Sequence, residues 1–200
     1  MGLFMSQKSF FQKNPFILWL TANIIGFGVL GAAILLFPEW MSQSGVLGST
    51  FIIAILVSLT QLIFLRKLVS FSWLWIIAMP VGLTLANLLM RAIPESFWLV
   101  IDDESIAVLV AGYLVMGFLI GFPQWLLLRI KFSRASLWLP GTAIGLAFGT
   151  GLVLATNLIN YSRVISFILV VLGYATVTGL ILTRLPAKPG STQMMLPNVL

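Results

Sequence analysis

The sequence predicts an all-α membrane protein of six transmembrane helices, arranged as three tandem helical hairpins in the same orientation. Three observations carry this expectation. The composition is 60% hydrophobic and 8% charged, with a mean hydropathy of +1.10, which leaves too little polar surface to cover a soluble globule. The apolar residues fall into six runs of about 20, the length that crosses a bilayer core. Finally, a set of polar and aromatic residues recurs at fixed spacing along the chain. The organisation read from this is an N-terminal segment 1–14, a six-span domain 15–184 and a flexible tail 185–200.

The first span is expected from Pro15 to Phe37. Asn14 is its N-cap, and proline stands at the first helical position, where its missing N–H costs nothing. Apolar chain continues past Gly31, Ala32 and Ala33, so this reads as a retained anchor helix and not a cleaved signal. The second span runs from Gly45 to Leu65. The third, Ser72 to Met90, carries Pro80 and is expected to kink there. The fourth covers Ser105 to Leu128 with Pro123 near its end, and the fifth covers Leu137 to Asn157 with Pro140 in its first turn. The sixth covers Val164 to Thr183.

With connections placed on alternate sides, Lys8, Lys13, Arg66, Lys67, Arg129, Lys131, Arg134, Arg184 and Lys188 share one side. Only Arg91 and Arg163 lie on the other, together with all the acids: Glu39, Glu95, Asp102, Asp103 and Glu104. The positive-inside rule then places both termini in the cytoplasm. The net charge of +6 reports orientation, because these residues cap helix ends beside anionic headgroups; a partnership with nucleic acid is not expected.

A shift of 63 residues lays Gln61, Leu65, Arg66, Ser70, Leu74, Trp75 and Gly82 on Gln124, Leu128, Arg129, Ser133, Leu137, Trp138 and Gly145. Trp19 and Gly26 repeat the Trp-to-Gly spacing, and Arg184 leaves the sixth run as Arg66 and Arg129 leave the second and fourth. Such copies share one orientation, so a pseudo-symmetry axis would lie along the membrane normal. Gly117 and Gly121, and Gly141, Gly145 and Gly149, recur every four residues and are expected to be helix-packing faces.

The run Phe122-Pro123-Gln124-Trp125-Leu126-Leu127-Leu128-Arg129, with Trp138 and Gly145 following, resembles a group of uncharacterised, largely cyanobacterial multi-span membrane proteins with a Gln-Trp-x-x-Leu-Arg signature. The resemblance covers about residues 45 to 185. The first copy departs from the signature with Leu62 in place of tryptophan, and the third has Gly179 in place of glutamine. The resemblance implies a fold and a bacterial inner or thylakoid membrane, and brings no catalytic site.

With no histidine and no cysteine, the chain has none of the usual haem, zinc or iron–sulfur ligands and no thiol nucleophile, and no cofactor is expected. No ionisable residue lies mid-span, which argues against a proton-driven pump. The mid-depth polar residues Asn23, Thr84, Asn87, Thr150, Thr176 and Thr178 are expected to bond between helices. Asp102, Asp103 and Glu104 could suggest a cation site, but carboxylates at a helix start are explained by capping, and no metal is expected.

Gln61, Arg66, Trp75, Gln124, Trp125, Arg129 and Trp138 are the candidate lipid or ligand contacts. In one reading arginine fixes an anionic headgroup while tryptophan buries its apolar part. In the other, which is favoured, glutamine satisfies backbone carbonyls, including those freed by Pro123, while arginine snorkels. No nucleophile, base or metal constellation suggests an enzyme. The expected function is a non-catalytic accessory or assembly subunit of a larger membrane complex, in contact with lipid and other subunits. The alternative is a small-solute or lipid transporter, or a substrate-binding membrane subunit.

Overall fold

The computed structural model describes residues 14–36, 45–66, 73–93, 106–156, 163–186 and 188. They form six α-helices and no β-strand. These are α1 (Pro15–Leu36), α2 (Gly45–Leu65), α3 (Trp75–Ala92), α4 (Ile106–Lys131), α5 (Trp138–Ala155) and α6 (Arg163–Thr183). A single 3-10 turn, Ala135–Leu137, leads into α5. Among the described residues, four stretches are long and apolar enough to cross a membrane: Trp75–Ala92, Ala107–Lys131, Ala135–Ala155 and Ile165–Thr183.

Local chemistry explains where the helices begin and end. Asn14 Oδ1 accepts from the N–H groups of Phe16 and Ile17 at 3.1 and 3.3 Å, satisfying two of the free donors at the start of α1. Helix α3 begins three residues later than expected and passes through Pro80 as one continuous element. Helix α4 does not stop near Pro123 and extends three residues past Leu128, to Lys131. It can do so because Phe132, just beyond it, is buried among the aromatic residues of the bundle end and bonds back to the Leu128 carbonyl at 2.9 Å.

Each helix packs against its neighbours in sequence, and α6 packs against α1, so the six close into a ring. The closest approaches are made through glycine. A Cβ at Gly82 would lie 2.6 Å from the Ile120 Cα, and one at Gly149 would lie 2.6 Å from the Val170 Cα, so only a bare backbone fits at either place. Gly117 and Gly121 face Thr142 and Ala143 across the α4–α5 contact, while Gly141, Gly145 and Gly149 face Ile181, Tyr174 and Val170 across α5–α6. Within a bilayer, close backbone packing of this kind replaces the hydrophobic effect as the source of helix association.

Beyond α6 the chain turns along the end of the bundle. Ser133 N donates to the Pro186 carbonyl at 3.1 Å, and Lys188 N donates to the Lys131 carbonyl at 2.8 Å. Leu185 is buried there, so the expected tail starts with a docked stretch. The expectations for residues 1–13, Glu39, Lys67, Ser70, Glu95, Asp102, Asp103, Glu104 and residues 189–200 lie outside the described residues.

Candidate functional site: an aromatic plug beside an apolar cavity

The three tryptophans that share a spacing to glycine, Trp19, Trp75 and Trp138, meet on the axis of the ring. Their centroids are 6.4 Å (Trp19–Trp75), 5.5 Å (Trp19–Trp138) and 6.3 Å (Trp75–Trp138) apart, and every pair is edge-to-face. None is more than 1% exposed. Edge-to-face contacts place the positive ring edge on a negative face, worth about 0.5–1.5 kcal/mol per pair beyond the area buried. All three come from the beginnings of α1, α3 and α5, and their hydrogen-bond acceptors come from the ends of α2, α4 and α6. Neighbouring helices are therefore antiparallel.

An indole N–H withdrawn from water needs an acceptor. Trp75 Nε1 donates to Gln61 Oε1 at 3.2 Å, and Trp138 Nε1 donates to Gln124 Oε1 at 3.0 Å. Trp19 Nε1 donates to Thr178 Oγ1 at 2.9 Å, which closes the circle between the last helix and the first. Thr178 takes the part that glutamine plays in the other two hairpins. Glutamine could not stand one residue later, at Gly179, because even a Cβ there would meet Trp19 Cδ1 at 2.9 Å and Phe16 Cδ2 at 3.0 Å.

The two glutamines differ in their second group. Gln61 Nε2 donates to Asn23 Oδ1 at 2.9 Å, and Asn23 in turn donates to the Trp19 carbonyl at 2.8 Å. Gln124 Nε2 is buried without a hydrogen-bond partner. The expectation that glutamine answers carbonyls freed by Pro123 is therefore not met: Gln124 spends its oxygen on Trp138 and its nitrogen on no carbonyl. Tyr174 faces both glutamines, with its hydroxyl short of hydrogen-bond geometry.

Of the seven candidate contact residues, Gln61, Trp75, Gln124 and Trp138 lie fully inside the bundle, out of reach of surrounding lipid. Arg66 and Arg129 are exposed at the helix exits, and Trp125 is half-buried with the Arg129 guanidinium 5.2 Å from its ring centroid. Six of the seven therefore divide into an internal network of four and a small surface pair at the end of α4, while Arg66 is exposed after α2. Leu62, Leu65, Leu128, Phe132 and Leu182 pack with the tryptophans and seal this end of the ring.

Further along the axis the filling stops. A cavity of 460 Å³ lies between α3, α4, α5 and α6, with Phe27 of α1 also on its wall. Tyr174 belongs both to the aromatic cluster and to the wall, and so forms the partition between them. The rest of the lining is almost wholly apolar, the remaining polar side chains being Tyr113, Thr150 and Ser166. No protein-family model, curated protein or solved structure matches this chain.

Sequence reasoning ranked Asn23 and Thr178 only as general interhelical polar groups and passed over Thr142 and Tyr174. A signal for two of them was present: Asn23 and Thr142 each stand four residues after one of the repeated tryptophans.

Proposed function

We propose that this chain is a six-span, non-catalytic integral membrane protein that serves as an accessory or assembly subunit of a larger membrane complex. In this reading three tandem hairpins share one orientation about an axis along the membrane normal, with both termini in the cytoplasm of a bacterial inner or thylakoid membrane. Four helices support it directly by length and composition, and α1 and α2, at 22 and 21 residues, have the backbone length to span as well. Among the described residues, the exposed side chains between the helix ends are apolar, as at Ile24, Ile63, Leu88, Phe118, Ile144 and Ile168. The resemblance to proteins with the Gln-Trp-x-x-Leu-Arg signature fits the same assignment.

The observation that carries the proposal is the tryptophan plug. Carriers move solute along a path that opens to each side in turn, and such paths are lined by polar groups converging on a site. Here the axis is closed by three interlocked rings, the ring nitrogens are already bonded, and the adjoining space is apolar. This favours a scaffold over a carrier of polar solutes.

Extraction of the full chain in mild detergent, followed by native electrophoresis and mass spectrometry, tests the proposal. A defined stoichiometric assembly is expected. A chain that always isolates alone and that moves solute into vesicles would overturn it. Reporter fusions after Lys13 and after Arg91 test the orientation, with signals expected from the cytoplasm and the opposite side respectively.

A further inference from the structure

The cavity beside the plug is the feature that a pure scaffold does not explain. At 460 Å³ it falls within the range of about 300–1,000 Å³ typical of small-molecule sites. Taking about 30 Å³ per group, as for liquid water, it holds roughly fifteen carbon-sized groups. Water is a poor occupant. A stable buried water needs two to four polar partners, and the walls offer oxygen atoms only at scattered side chains on an otherwise apolar surface.

Two of those oxygens are unpartnered, the Tyr174 hydroxyl, which lies toward Gln61 and Gln124, and the Thr150 hydroxyl, which has no such polar neighbour. Buried threonines in this bundle characteristically turn the hydroxyl back onto their own helix: Thr142 donates to the Trp138 and Leu139 carbonyls, and Thr178 donates to the Tyr174 carbonyl. The less buried Thr60, Thr156 and Thr183 do the same. Thr150 is 6% exposed, lines the cavity and makes no such bond. It stands 12 residues beyond Trp138, about 18 Å along α5 at 1.5 Å per residue, well above the plug. A buried hydroxyl with no partner in a dry cavity calls for a group that can bond it.

The cavity also reaches the outside. Leu109 of α4 is on its wall and is 42% exposed, so at that side chain the wall is shared with the outer face of the bundle. We propose that the cavity binds one neutral, membrane-derived chain molecule of roughly fifteen carbons with a single hydroxyl or carbonyl oxygen. That oxygen bonds to Thr150, and the apolar body packs among Leu83, Met116, Leu146 and Val170 above the Tyr174 partition.

The test uses the full-length protein in phosphatidylcholine vesicles and a diazirine-bearing long-chain alcohol as the probe. Saturable labelling of Met116 or Val170 is expected. Tetradecanol should displace the probe about two- to tenfold better than tetradecane at equal membrane concentration, the effect of one hydrogen bond. Thr150→Val, which keeps the shape and removes the hydroxyl, should retain labelling and lose that preference. Leu83→Trp should fill the space and abolish the labelling. Labelling that never saturates and falls only on lipid-facing residues such as Phe118 and Ile168 would overturn the proposal. So would an alcohol preference unchanged in Thr150→Val, a readout that does not depend on Leu83→Trp folding.

Discussion

Gln61 and Gln124 occupy matching places near the ends of α2 and α4, and each accepts from a tryptophan fourteen residues ahead. Their amide nitrogens fare differently. Gln61 finds Asn23, which stands four residues after Trp19, whereas Gln124 finds no acceptor. The residue four positions after Trp75, where the same geometry would place that acceptor, is Met79. Met79 is buried in the second apolar cluster and lies on the cavity wall. A repeated frame thus carries two different interiors: a glutamine bonded through both ends of its amide in the first hairpin, and in the second a glutamine whose nitrogen is unbonded, next to the cavity.

The largest way to break the frame is to remove a ring of the plug. Trp138→Ala should cost about 3–5 kcal/mol, as for other large-to-small core changes, and it also strips Gln124 Oε1 of its donor. Trp125→Ala, half-buried at the surface with Arg129 over it, should cost no more than about 1 kcal/mol. Thermal unfolding in detergent measures both, and equal losses would mean that the plug is no more than an aromatic belt.

The glutamines then separate the two hairpins. Gln61→Leu removes the acceptor of Trp75 Nε1 and the donor to Asn23 Oδ1, so a loss of about 2–4 kcal/mol is expected. Gln124→Leu removes one acceptor but also a donor that has no partner, and these offset to a net loss of about 1 kcal/mol or less. Parity between the two variants in the same melting assay would show that the Asn23 contact adds nothing.

How far this was legible in the sequence follows from the same residues. Repetition brought Gln61 with Trp75 and Gln124 with Trp138 into view, because hairpins built alike place like residues at like depths. Their bonding was hidden because a glutamine one turn before an arginine reads as an interfacial group. What buries it is the seal of Leu62, Leu65, Leu128 and Phe132, which depends on ring closure and leaves no local trace. Thr178 was hidden for another reason: the helix offers its oxygen one residue earlier than the repeat demands, since Gly179 must stay bare against Trp19. The cavity was not legible at all. It is the space left among side chains of four different helices, such as Leu83, Met116, Leu146 and Val170, and no spacing records a void.

The smallest effect sharpens the comparison most. Met79→Gln keeps nearly the same length and places an amide oxygen where Asn23 stands in the first hairpin. If the frame is equivalent, that oxygen accepts from Gln124 Nε2, and the variant should gain about 1 kcal/mol despite burying a new polar group. The gain must depend on its partner. In a Gln124→Leu background the introduced amide has no donor, so Met79→Gln should instead cost about 1–2 kcal/mol. The reversal of sign between the two backgrounds, read as a double-mutant cycle in detergent melting, isolates the pair from any change in packing. An identical effect in both backgrounds would mean that Met79 does not stand where Asn23 stands, and that the orphaned nitrogen of Gln124 belongs to the side of the network facing Tyr174.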